Sequence, residues 1–229
     1  MDKNFKEEIK MGLFNFYKGK GKKILILQDP DGNKYNTIRI GKQVWTVENL
    51  RTTKYNDGTP IPHITDDKEW GSLSTPGYCY YDNSDDLEKN KRYGVLYNWY
   101  TIETGKLAPE GWHVPTDEEW ITLRNYLLRK GFNVAKSLAA KIDWLDSTSS
   151  GAIGNDLASN NRSGFSALPG GFRVFNGFDS IGYYSFWWSA TNHSLSEASY
   201  LYLHYDYDNE LHRNVGSKES GNSVRLIKS

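Results

Sequence analysis

Short apolar runs broken by turn residues dominate this chain, and they predict strands more often than helices. Ile24-Leu25-Ile26-Leu27 reads as a strand, Asp29-Pro30-Asp31-Gly32-Asn33 as a turn, and Thr37-Ile38-Arg39-Ile40 as the returning strand of a β-hairpin. Gly41-Lys42-Gln43-Val44-Trp45 continues the strand pattern. Residues 51–90 are rich in turn formers and read as a long surface excursion, with Asp82, Asp85, Asp86 and Glu88 solvated. Tyr93 to Thr101 reads as a short aromatic helix with Leu96, Tyr97 and Tyr100 on one face. A second helix opens at Pro115-Thr116, with Thr116 as N-cap and Glu119 completing a capping box. Trp120, Leu123 and Leu127 line its inner face, and Gly131 ends it. Residues 143–163 form another polar loop, and 165–173, 185–190, 199–206 and 223–227 are expected to be strands.

Residues 1–23 differ. Phe5, Ile9 and Leu13 recur at helical spacing, and Lys18, Lys20, Lys22 and Lys23 follow with glycines between them. Two readings stand: a short amphipathic helix on a basic tether, or a disordered leader. The start is charged and no apolar core follows, so no secretory signal is expected. Residues 24–229 are assigned to one domain.

Composition narrows the core. Only 38% of the 229 residues are apolar, and the mean hydropathy is −0.69. The core must therefore come from few, large side chains: eight Trp, sixteen Tyr and nine Phe. Tryptophans and glycines cluster in Gly111–Trp120, in Gly164–Arg173 and in Trp187-Trp188-Ser189-Ala190-Thr191, as expected where rings pack against bare backbone. Net charge is zero, so no global field attracts nucleic acid or an anionic membrane. No run approaches the ~18 apolar residues of a membrane span. Cys79 is the single cysteine, which excludes an intramolecular disulfide and a cysteine zinc site; between Tyr78 and Tyr80 it reads as a small buried hydrophobe.

One segment carries a candidate binding pattern. In Tyr200-Leu201-Tyr202-Leu203-His204-Tyr205-Asp206-Tyr207-Asp208 the leucines point one way, and Tyr200, Tyr202, His204 and Asp206 the other. Asp208, Asn209, His212, Arg213 and Asn214 extend the polar set. Tyrosine offers rigid contact area with a hydrogen-bonding tip, as in antibody paratopes. Either this is a recognition face, or the tyrosines pack under a neighbouring loop. Elsewhere the bland readings win. His113 reads as a structural histidine, Asp117, Glu118 and Glu119 as helix N-terminal charges, and the His63, Asp66, Asp67 cluster as no metal site. No catalytic set, metal or cofactor is expected.

The ordered motifs resemble a known family. Asp31-Gly32-Asn33, Ile40-Gly41-Lys42-Gln43-Val44-Trp45, Glu48-Asn49-Leu50, Asp57–Pro62, Tyr93–Tyr100, Gly105-Lys106-Leu107, Gly111–Pro115, Gly164–Arg173, Trp187-Trp188-Ser189 and Asn222-Ser223-Val224-Arg225 together resemble the Fibrobacter succinogenes major paralogous domain. The resemblance implies an α+β, C-type-lectin-like fold of the kind shared with formylglycine-generating enzymes: two helices and a twisted, mostly antiparallel sheet with long irregular loops. It implies the surface of Bacteroidetes-type bacteria, and a relation to the variable proteins of diversity-generating retroelements. Two cysteines that the family often carries are Ala108 and Leu226 here, which argues against an oxidising, exported location. The expectation is a non-catalytic module binding a protein or glycan through the Tyr200–Asp208 strand. The rivals are an assembly component of a surface appendage or phage particle, and a formylglycine-generating-enzyme-like oxidase, which Cys79 alone does not equip.

Overall fold

The computed structural model describes residues 25–206 and 209–229. The leader expected over 1–23 and two positions of the candidate strand, Tyr207 and Asp208, lie outside the described residues.

The chain opens with the expected hairpin, β1 (Ile26–Gln28) against β2 (Lys34–Ile40). Asp29 holds the turn, accepting from the N–H groups of Asp31 (3.0 Å) and Asn33 (2.9 Å) and from the Tyr35 hydroxyl (2.5 Å). Asp31 accepts from the Thr53 N–H (2.5 Å) and pairs with Lys54 (3.1 Å). Both carboxylates are thus spent on loop architecture. The chain returns through Gly41 as β3 (Gln43–Thr46).

Residues 51–90 are more than a surface excursion. They contain α1 (Asp67–Trp70), β4 (Tyr78–Cys79) and most of α2 (Leu87–Tyr93). Their sparse apolar residues point inward: Ile64, Trp70 and Cys79 form a buried cluster with Leu96. The helix expected over Tyr93–Thr101 is corrected as well. The chain leaves α2 at Gly94 (φ +82), forms β5 (Leu96–Tyr97) against β4, and re-enters a helix as α3 (Trp99–Glu103). A Cβ at Gly94 would stand 2.8 Å from the Leu50 carbonyl oxygen, so this glycine allows a close approach that a helix would not need. Asn98 caps α3, its Oδ1 accepting from the Thr101 N–H at 3.2 Å.

β6 (Trp112–His113) leads into α4 (Asp117–Arg129), which has the expected capping box of Thr116 and Glu119. Trp120, Leu123 and Leu127 are buried, and α5 (Val134–Leu138) packs beside them. The last third holds β7 (Gly170–Val174), β8 (Gly177–Ile181), β9 (Tyr184–Asn192), β10 (Glu197–His204), β11 (His212–Ser217) and β12 (Ile227–Lys228). β8 and β11 did not read as strands. They are the two edges of their sheet, so each needs a hydrophobic pattern on at most one face.

The class is α+β, with two five-stranded sheets where one was expected. Their orders are β1-β2-β3-β12-β6 and β11-β10-β9-β7-β8, with β4 and β5 as a separate pair. Among the described residues the strand pairings are antiparallel except β7 with β9, besides isolated parallel bridges such as Trp187 with Ser223. The core between the elements is aromatic. Trp45, Trp120, Phe165 and Trp187 meet at centroid distances of 4.7 to 6.0 Å. Gly171 (φ +65) shows why glycine sits among such rings: a Cβ there would fall 2.4 Å from the Asp179 carbonyl oxygen and 2.6 Å from Tyr81. Ala108 and Leu226 are buried in one apolar cluster.

Two buried arginines pin the loops, and neither role was legible beforehand. Arg173 donates to the carbonyls of Ile64 (2.8 Å) and Thr65 (3.0 Å) and to Asp67 (2.8 Å), between the rings of Trp70 and Phe178. Arg225 donates to Asn49 Oδ1 (2.7 Å) and to the carbonyls of Thr46 (2.9 Å), Val47, Phe165 (3.0 Å) and Ser166 (3.2 Å). Burial pulls its pKa down to about 9.

Candidate functional site

The alternation expected in β10 is real. Leu201 and Leu203 are buried against the α4–α5 core, while Tyr200, Tyr202 and His204 are half-buried on the other face. The register extends that face across the sheet. Tyr202 stands opposite Phe186 on β9 and His212 on β11. Phe172 on β7 lies beside Phe186, ring centroids 4.5 Å apart, and Asp179 on β8 stands opposite Phe172. One row, Asp179–Phe172–Phe186–Tyr202–His212, therefore crosses all five strands. On either side of it, His204 meets Tyr184 (4.3 Å) and Tyr200 meets Trp188 (6.3 Å). Trp188 is buried at the end covered by α3, its Nε1 donating to the Tyr97 carbonyl at 2.7 Å.

Three ring pairs on this face are near-parallel, and the others are tilted by 43–59° or meet edge-on. Tyr202 and His212 lie 4.9 Å apart at 17°, Tyr184 and Phe186 5.2 Å apart at 23°, and Phe186 and Tyr202 5.7 Å apart at 30°. Tyr200 lies over Gly216, where a Cβ would come within 2.9 Å of its ring. Burial raises the Tyr200 phenol, and the Asn214 side chain, hydrogen-bonded to it, partly offsets this. Burial lowers the pKa of His204, and His212 adds to that while Asp206 opposes it. The Asp206 N–H donates to His204 Nδ1 (3.3 Å), so the neutral ring carries its proton on Nε2.

Of the candidate residues, Tyr200, Tyr202, His204, His212 and Asn214 share this face. The others do not. Arg213 alternates to the opposite side, where it donates to Asp117 Oδ2 (2.5 Å) and Ser199 Oγ (2.7 Å) beneath α4. Asp206 follows the strand end and accepts from the Ser147 hydroxyl. Asn209 (φ +52) turns back to α5, its Oδ1 accepting from the Val134 N–H at 2.9 Å. Asp208 is outside the described residues. Phe172, Tyr184 and Phe186 were missed, although Tyr184-Ser185-Phe186-Trp187 alternates as clearly as β10. The adjacent Trp187-Trp188 pair hides that period.

The remaining polar clusters are occupied structurally. His113 places Nε2 2.8 Å from Glu119 and Nδ1 2.9 Å from Ser229. His63 stacks on Tyr78 at 4.8 Å, Asp66 caps α1, and Asp67 pairs with Arg173. Burial pushes the Cys79 thiol up to about 12. Among the described residues no group of three metal-ligating side chains converges, and no helix is long and apolar enough to cross a membrane.

The family model of the Fibrobacter succinogenes major domain matches residues 38–228. The chain belongs to that family. No curated protein and no solved structure matches it. In this Fibrobacter succinogenes major domain the shared motifs are architectural: Gly164–Arg173 supplies Phe165, Gly171 and Arg173, and Asn222–Arg225 supplies Arg225. The aromatic face is built on the strands that these motifs hold in place.

Proposed function

We propose that the domain is a non-catalytic recognition module of C-type-lectin-like fold that binds a protein partner through the aromatic face of β9, β10 and β11. The row of half-buried rings flanking Tyr202 carries the reading. Partly exposed aromatic surface of this extent marks recognition more often than chance. The fold assignment rests on the family resemblance, supported by the antiparallel sheets and long loops. The non-catalytic reading is supported by His63, His113, Asp66, Asp67 and Cys79, which serve packing or a loop.

Ring orientation favours protein over glycan. A sugar stacks on a free aromatic face, whereas the rings of Tyr202 and His212 are stacked on each other, and those of Tyr184 and Phe186 likewise. Tyrosine hydroxyls on a rigid apolar base suit the mixed apolar and amide surface of a protein. The labelled domain and its Tyr202→Ala/His204→Ala variant, screened on bacterial surface-protein and glycan arrays with and without calcium, test this. Protein hits weakened at least tenfold in a variant that remains folded are expected. Hits confined to glycans, or hits indifferent to the substitutions, would overturn it.

A further inference from the structure

A second site lies where the β3–loop segment, the α5–β7 connection and the C-terminal segment meet. A groove of about 260 Å³ opens there, sharing no residue with the aromatic face. Its walls are apolar: Val47, Ala140, Ile142 and Leu168. Ile142 is 48% exposed and offers apolar surface to the groove.

Its charge is mainly cationic. Lys141 and Arg92 are exposed at the mouth, and Arg225 is buried at the base. Among the described residues no carboxylate hydrogen-bonds to Arg225; its acceptors are all neutral amide or carbonyl oxygens. Nη2 donates only to the Ser166 carbonyl, so one of its two N–H bonds is unspent. Glu48 favours the Arg225 charge through space without hydrogen-bonding to it, so the spare N–H remains for an anion. Glu48 is the lone carboxylate among the lining residues, and Asn36 engages both of its oxygens, at 2.8 Å through N and 2.7 Å through Nδ2.

The groove is also pre-formed. Asn161 (φ +64) and Ser166 (φ +58) line it, and Asp143 (φ +70) holds Arg92 at 3.1 Å. All three take the left-handed backbone, which Asn and Asp tolerate better than Ser, and this fixes the turns that wall the groove. Asn161 and Ser166 lock each other, Nδ2 to Oγ at 2.6 Å and Oδ1 from N–H at 2.9 Å.

We propose that this groove binds a small organic acid, its carboxylate directed to Arg225, Lys141 and Arg92 and its apolar body against Ile142, Leu168, Ala140 and Val47. The volume lies just below the range of typical ligand pockets, which limits the body to about one ring or a short chain.

The test is an amide NMR titration of the intact protein with benzoate, with benzyl alcohol and sulfate as the apolar-only and anion-only controls. Saturable benzoate shifts centred on Lys141, Asn161 and Ser166 are expected, with both controls at least tenfold weaker. Arg92→Gln/Lys141→Gln is expected to weaken benzoate at least tenfold at an unchanged melting temperature. Lys141→Glu alone, at an exposed side chain, is expected to do the same and serves if the Arg92–Asp143 pair proves necessary for folding. Absent or scattered shifts, sulfate binding as tightly as benzoate, or affinity indifferent to Lys141→Glu would overturn the proposal.

Discussion

Replacing Arg225 with methionine tests how the segment after β3 is tied to residues 165–166. The substitution roughly conserves volume and removes five donated hydrogen bonds, to Asn49, Thr46, Val47, Phe165 and Ser166. Asn49 Oδ1 keeps the Trp187 indole N–H, at 3.0 Å, so its loss is softened. If two of the four carbonyls are left dry, at about 1–3 kcal/mol each, the loss is about 4 kcal/mol. Relief of a buried guanidinium opposes this, and replacing buried charges by apolar groups is often neutral. The orphaned acceptors win here because methionine offers none of them a donor, and because they belong to segments far apart in the chain. For a domain of this size about 4 kcal/mol lowers the melting temperature by roughly 8–16 °C. Thermal denaturation followed by circular dichroism reads it directly. A midpoint within about 3 °C of the parent would refute the reasoning and make Arg225 a determinant of specificity alone.

Two further outcomes follow from burial. Burial lifts the phenols of Tyr78 and Tyr93 to about 12, with neighbouring Tyr80 and Asp143 adding to it respectively, and raises Tyr97 well above 10. An unfolded phenol ionises near 10, so between pH 10 and 12 the folded state holds more protons and stability falls as pH rises. Phenolate absorbance is expected to rise together with loss of circular dichroism; complete tyrosine ionisation near pH 10 with the fold intact would contradict this. Cys79, buried and lifted to about 12, is expected to resist a thiol reagent at pH 8 in the native protein and to react with one equivalent in denaturant; rapid native labelling would contradict it.

What the sequence by itself determined was local. The Asp29–Asn33 turn, the Thr116 capping box and the alternation of β10 depend on residues a few positions apart, and each appears where its pattern predicts. The family was legible too, because its motifs are ordered along the chain. What the tertiary structure decided were long-range matters. β8 and β11 are strands because a neighbour pairs with them, their own pattern being too polar to announce it. Arg213 was placed with Tyr202 by nearness in sequence, but the pleat sends it to the α4 side, where Asp117 waits. Asn209 and Asp206 leave the face because the chain turns after His204. The aromatic row itself joins β7, β9, β10 and β11 through a parallel pairing of β7 with β9 that no local pattern encodes. The groove at Arg225 likewise exists only once segments more than a hundred residues apart are brought together, because backbone oxygens, which every residue carries alike, are what hold it.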